Sequence, residues 1–245
     1  MKVGIVGLPN VGKSTLFNCL SQSKAQSENY PFCTIDPNVS IVNVPDLRLD
    51  KLSSLINPQK LIPTTVKIVD IAGLVKGASK GEGLGNKVLS NIRETDAIIH
   101  VLRCFDDPNI VHVDGRINPL SDKEVVEYEL ILKDIEIIEK RLDKIKKTVR
   151  SGSNESKKEI DILEKVLDQL QNISVNRFDF SDDQFDEFIK PLELISFKPI
   201  LYVCNVGEDD VTDGNSYVED VRREIENKDS EIIIISAKIE SEINE

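Results

Sequence analysis

No run of apolar residues in the 245-residue chain approaches the roughly 20 needed to cross a bilayer. The first residues, Met1-Lys2-Val3-Gly4-Ile5-Val6, enter an apolar strand pattern at once and carry no signal-peptide cleavage pattern. Both absences point to the cytoplasm and away from a membrane. Cysteine is sparse: Cys19, Cys33, Cys104 and Cys204 stand singly, with no Cys-x-x-Cys pair. That spacing argues against structural zinc and fits reduced thiols. Positive charge is also short, with 31 Lys and Arg against 43 Asp and Glu and a net charge of −12. A surface of that sign, taken whole, repels nucleic acid. What remains, 40% hydrophobic and 30% charged residues, suits a folded domain with room for an insertion.

Short apolar runs alternate with amphipathic segments, the pattern of an α/β domain with a mostly parallel sheet. Strands are predicted near Val3–Val6, Val39–Val44, Val66–Asp70, Ala97–Leu102, Ile200–Cys204 and Ile232–Ile235. Helices are predicted to start near Gly12, Asp46, Gly85 and Ser216. From about Asp122 to Ile173 the pattern changes. Tyr128, Ile131, Ile135, Ile138, Leu142, Ile145 and Val149 are spaced alternately three and four apart, as in a heptad stripe. After a turn at Ser151-Gly152-Ser153-Asn154, a second stripe runs through Ile160, Leu163, Leu167 and Leu170. This predicts an inserted antiparallel α-helical coiled-coil hairpin within residues 121–196, between segments 1–120 and 197–245 of the α/β domain. Lys140, Arg141, Lys144, Lys146, Lys147, Arg150, Lys157 and Lys158 crowd its tip, opposed within that window only by Asp143 and Glu155. Such a tip is either a solvated helix face or a foot for phosphate backbone.

Gly7-Leu8-Pro9-Asn10-Val11-Gly12-Lys13-Ser14-Thr15 follows an apolar strand and opens a helix, the setting of a phosphate-binding P-loop. Its glycines let the backbone approach phosphates, and the helix N-terminus adds partial positive charge. The candidate nucleotide contacts here are Asn10, Val11, Gly12, Lys13, Ser14 and Thr15. Lys13 is expected to reach the β- and γ-phosphates, and Ser14 to ligate Mg²⁺. Asp70 ends an apolar strand and opens Asp70-Ile71-Ala72-Gly73, which makes it the acidic partner near the metal. Gly73 can give its amide to the γ-phosphate, and Gly77, Gly81, Gly83 and Gly85 follow in a switch-like segment. Thr34, between the first helix and second strand, is the third metal candidate. Asn205-Val206-Gly207-Glu208 ends a strand where guanine-specific relatives carry Asn-Lys-x-Asp, so Val206 and Glu208 alter the base pocket. Asn205 can still pair with a purine edge, and Ser236-Ala237-Lys238 closes the pocket from the other side.

On these stretches, together with Tyr30–Asn38 and the run from Asp70 to Asn86, the chain resembles the YchF/Obg-like ATPase family of translation-factor-class P-loop GTPases. The resemblance covers essentially all 245 residues. It implies a Ras-like G domain, hydrolysis of ATP in preference to GTP, and ribosome binding, with the large subunit or its RNA met by the coiled-coil tip. It implies a hydrophobic residue, Leu74, where Ras-like proteins carry a water-orienting Gln. Catalysis then passes to a loop histidine, matched by His112, with Lys13 and Gly73 beside it and a partner or a potassium ion as activator. His100, inside an apolar strand, reads as core. The family continues into a C-terminal TGS domain, which a chain stopping at Glu245 is expected to lack.

The composite expectation is a monomeric cytoplasmic ATPase acting as a ribosome-associated switch. Two rivals remain: a nucleotide-gated binding module whose hydrolysis is incidental, and a P-loop kinase. Against the kinase stand the Asp-x-x-Gly and Asn-x-x-Glu motifs and the lack of an Arg-rich lid.

Overall fold

The computed structural model describes residues 1–22, 38–71, 73–74, 77, 84–111, 115–148, 154–172, 180–225 and 230–244. Strand β1 (Lys2–Val6) is buried from its second residue onward and pairs in parallel with β3 (Thr65–Asp70) and β4 (Ala97–Cys104). β5 (Ile200–Val206) lies parallel to β4, and β6 (Glu231–Ile235) parallel to β5. At the other edge β2 (Val39–Asn43) runs antiparallel to β3. The order is β2-β3-β1-β4-β5-β6. β4 is apolar apart from His100 and Arg103 and is buried along most of its length, as a parallel strand covered on both faces requires.

Helices occupy the connections. They are α1 (Lys13–Gln22), α2 (Leu47–Ile56), α3 (Leu84–Arg93), α4 (Pro119–Thr148), α5 (Asn154–Gln171), a single turn α6 (Asp182–Gln184), α7 (Ser216–Ile225) and α8 (Ala237–Ile243). Asp46 caps α2, its carboxylate accepting the Arg48 amide at 2.9 Å. The first turn of α1 carries no acidic residue, so its N-terminal partial charge is left for an external anion. Among the described residues no helix is long and apolar enough to cross a membrane.

Three apolar centres hold the described residues together. The first lies between the sheet and its helices and includes Ile5, Val6, Leu89, Ile92, Ile98 and Val101. The second joins α4 and α5 through Ile131, Ile138, Leu142, Ile145, Leu163 and Leu170. The third lies between β4, β5 and α7 around Leu102, Cys204 and Val221. The heptad reading needs correction at two points. Tyr128 is 50% exposed, because α4 lies against the sheet there and sends Val126 and Leu130 into the first centre instead. Ile162 and Val166, outside the predicted stripe, are buried. A return segment covers them, a π-helical turn at Phe185–Ile189 followed by 3₁₀ turns at Lys190–Leu192 and Ile195–Phe197. Asp134 of α4 fastens that segment, accepting the amides of Ile195 at 2.9 Å and Ser196 at 2.7 Å. Burial pushes its carboxyl pKa up and these hydrogen bonds oppose the shift. Val149 and the predicted turn residues 151–153 lie outside the described residues, while Asn154 opens α5.

The arm's cations are less free than their sequence window implied. Lys140 pairs with Glu136, Arg141 with Glu159 at 2.6 Å, and Lys146 with Glu164 at 2.7 Å. All three carboxylates lie outside the Lys140–Lys158 stretch: Glu136 is one turn earlier on α4, and the packing of α5 on α4 brings Glu159 and Glu164 near.

Truncating Ile138, wholly buried between α4 and α5, is expected to lower the unfolding free energy by about 2–5 kcal/mol. Tyr128→Ala should change it by no more than about 0.5 kcal/mol. Urea midpoints of the two variants check this, and equal midpoints would contradict the packing described.

Candidate nucleotide-binding site

The loop from Gly7 to Gly12 turns at the carboxyl end of β1, in the crevice that open α/β sheets use for ligands. Its two outer glycines are sterically required. A Cβ on Gly7 would stand 2.5 Å from the Val101 carbonyl oxygen, and one on Gly12 would stand 2.3 Å from Asn205 Nδ2. Asn10 holds φ 62°, a left-handed conformation that Asn tolerates better than most residues. The Lys13 side chain is 7% exposed and its ammonium donates to the Leu8 carbonyl at 2.5 Å. Burial lowers its pKa to about 8, against a smaller upward pull from Asp70.

Gly73 and Leu74 lie across this loop. Leu74 donates its amide to the Gly7 carbonyl at 3.2 Å. A Cβ on Gly73 would sit 3.2 Å from Lys13 Nζ, so the ammonium and the Gly73 backbone face each other. Ser14 donates its hydroxyl to Asp70 Oδ2 at 3.3 Å. Burial raises the Asp70 carboxyl pKa, with the Ser14 hydrogen bond and Lys13 opposing. A hydroxyl and a carboxylate oxygen beside a phosphate loop fit Mg²⁺, which takes one or two protein oxygens along with phosphates and water. Thr34 and His112 both lie outside the described residues. The Leu74 side chain is 1% exposed and packs in the core, so it offers nothing to a water molecule.

Beyond the loop opens a cleft of about 780 Å³, lined among others by Thr15, Asn205, Val206, Glu208, Ser236 and Lys238. Asn205 is 4% exposed. Its Nδ2 donates to the Val11 carbonyl at 2.9 Å and its Oδ1 accepts the Ala237 amide at 2.9 Å. The carboxamide therefore spends one donor and one acceptor on fastening the two loops, leaving one of each for a ligand. Val206 packs with Val218 and Val221 of α7. Glu208 and Lys238 form an ion pair at the rim. The Ser236 hydroxyl is buried in the cleft wall without a hydrogen-bond partner, an open valence suited to a polar ligand.

Arg103 is a site residue that motif reading missed. It is 1% exposed, and its guanidinium donates to the carbonyls of Phe105 at 3.2 Å, Asp107 at 3.3 Å and Ile110 at 3.0 Å. It also lies 4.6 Å over the Phe105 ring. These contacts shape the loop that forms one wall of the cleft. Asn10 then ties that loop to the phosphate loop by donating to the Val111 carbonyl at 3.1 Å. The only sequence signal was a cation at the end of the apolar run Ile98–Leu102. His100 is indeed a core residue. Its ring lies 5.6 Å from that of Tyr202 at a tilt of 35°, with burial lowering its pKa to about 4.

A family model described as 50S ribosome-binding GTPase matches residues 2–206. The Bacillus subtilis (strain 168) protein named Ribosome-binding ATPase YchF is 51% identical over 248 residues, covering 100% of this chain and 68% of that protein. Its Escherichia coli O157:H7 namesake is 47% identical over 245 residues, covering 100% and 67%. The solved Schizosaccharomyces pombe YchF GTPase matches 100% of this chain and 67% of its own, at 38% identity and a TM-score of 0.85.

The lowered Lys13 pKa has a measurable consequence. Phosphates favour the charged ammonium, so above about pH 8 nucleotide binding must take up a proton. Affinity is expected to be flat below that pH and to fall by up to about tenfold per pH unit above it. Calorimetry in buffers of different ionisation enthalpy detects the uptake, which should be absent in Lys13→Met. Uptake that persists in Lys13→Met would assign it to another group.

Proposed function

Because the chain belongs to the YchF family, we propose that it is a Mg²⁺-dependent nucleoside triphosphatase that hydrolyses ATP, accepts GTP more weakly, and acts as a conformational switch on the cytoplasmic ribosome. The observation that carries this reading is the meeting of Lys13 with Gly73, and of Ser14 with Asp70, at the mouth of one phosphate loop. The chemistry asked of these groups is positioning and charge neutralisation, without covalent catalysis. Lys13 leaves the Leu8 carbonyl for the β- and γ-phosphate oxygens, and the amides from Asn10 to Thr15 converge on the same phosphates. Gly73 donates its amide to the γ-phosphate and is released when that phosphate departs. Ser14 and Asp70, with Thr34, are the residues to hold Mg²⁺, which supplies charge neutralisation when bound.

Water orientation falls to His112, since Leu74 is turned into the core. Asn10 holds the preceding residue, Val111, against the phosphate loop, which favours that assignment. Basal turnover is accordingly slow, and a partner or a potassium ion raises it. Asn205, Val206 and Glu208 on one side, and Ser236, Ala237 and Lys238 on the other, form the base pocket. Residues 121–196 form the inserted arm on a G domain of residues 1–120 and 197–245, and the protein acts as a monomer. The exposed Lys144, Lys147, Lys157 and Lys158 are the arm's contacts with ribosomal RNA. The inward Leu74 also suits a second reading, in which nucleotide gates binding and hydrolysis is incidental. Turnover accelerated by ribosomes favours the switch, and turnover indifferent to them favours the second reading.

Competition titration of ATP against GTP is expected to show preference for ATP. A guanine preference of tens-fold or more would sink the assignment. Charge reversal of Lys147, Lys157 and Lys158 should weaken ribosome binding and flatten its salt dependence, by about one unit of slope per phosphate no longer neutralised. Binding unaltered in both respects would return the arm to a solvated helix face.

A further inference from the structure

The helix that carries the basic cluster is fastened to the phosphate side of the domain by a buried carboxylate. Glu129 of α4 is 3% exposed, and its Oε1 accepts the backbone N–H of Gly77 at 2.6 Å. Gly77 lies four residues beyond Gly73, whose backbone faces the Lys13 ammonium. Gly77 holds φ +87°, and a Cβ there would meet nothing within 4 Å. Its glycine is therefore required by conformation and not by space. Half a turn earlier on α4, Glu127 accepts the Tyr202 hydroxyl at 2.5 Å and the Lys123 ammonium at 2.9 Å. Tyr202 stands on β5 three residues before Asn205. Val126 and Leu130 enter the sheet core from the same stretch of helix. The base of α4 thus touches the phosphate side, the base-pocket strand and the core at once.

From Glu129 the helix runs unbroken to Thr148. At 1.5 Å per residue that is a rod of about 28 Å, ending among Lys144, Lys146 and Lys147. A buried carboxylate deprived of a hydrogen bond is costly. If the Gly73 backbone shifts when the terminal phosphate arrives or leaves, and Gly77 shifts with it, the base of α4 is driven to follow.

We propose that Glu129 is a positioning residue through which the nucleotide state at Gly73 sets the orientation of the basic arm, and hence the affinity for ribosomes. This rests on the function proposed above.

The test uses the 245-residue chain and its Glu129→Ala and Glu129→Gln variants. Affinity for purified ribosomes is measured with a non-hydrolysable ATP analogue and with ADP. Hydrogen exchange across Pro119–Thr148 is followed without ribosomes in the same two states. Wild type is expected to show a ratio of about fivefold or more between the two affinities, the lower end of common coupling strengths. Its exchange along α4 should differ between nucleotide states. Glu129→Ala should bring the affinity ratio to within about twofold of unity and abolish the exchange difference, with nucleotide affinity and basal turnover kept. Glu129→Gln, which retains an acceptor for Gly77, should preserve both signals. The proposal is overturned if Glu129→Ala keeps the wild-type signals, or loses them only together with nucleotide affinity. It is also overturned if wild-type exchange along α4 ignores nucleotide state. Absence of ribosome binding with a nucleotide-dependent α4 strikes instead at the role given to the arm.

Discussion

The carboxamide of Asn205 joins two loops that stand 194 and 32 residues from it along the chain, Val11 on one side and Ala237 on the other. Both walls of the cleft depend on this tie. β5 puts Asn205 level with Arg103 of β4, so the residue that fastens the phosphate loop lies beside the one that shapes the neighbouring loop. Gly12 completes the arrangement, because any side chain there would collide with the amide that holds it. A buried amide held at both ends is rigid, and a rigid cleft presents its remaining donor and acceptor to a ligand with little reorganisation.

Around that tie the domain buries charge in compensated form. Lys13 and Asp70 are both partly desolvated, and each moderates the other's shift. Arg103 is buried more deeply and is satisfied by three backbone carbonyls instead of a carboxylate. The Lys123–Glu127–Tyr202 group follows the same pattern beneath the sheet. Each case follows the rule that a buried charge must be paired or hydrogen-bonded, and here each partner is also a segment that needed fixing.

One helix serves two cores. The first turns of α4 are committed to the sheet through Val126 and Leu130, and its later turns to α5 through Ile138, Leu142 and Ile145. The 3.6-residue period forces the buried face to rotate between those two surfaces. That rotation is why Tyr128 faces solvent although a heptad stripe runs through it. The same continuity makes the helix stiff enough to carry a displacement from its base to its tip.

The phosphate loop, the strand-ending Asp70, the inserted pair of helices and the core strand holding His100 were legible in the sequence. Each depends on local spacing: glycines at turns, a cation after them, periods of two or 3.6. Asn205 was legible as a motif, but not as a clasp, because its partners are remote in the chain. Arg103 showed only as a cation ending an apolar run, and Asp134, Ile162, Val166 and the Glu129–Gly77 hydrogen bond carry no local signature at all. The carboxylates paired with Arg141 and Lys146 likewise belong to a different helix, so a window count overstated the arm's free charge. The sequence by itself determined which polar groups gather at the loop after β1, since that follows from residue type and short-range backbone geometry. Only the tertiary structure decided which of those groups are already spent on holding the cleft together, because hydrogen bonding and burial are settled by segments the chain brings back from far away.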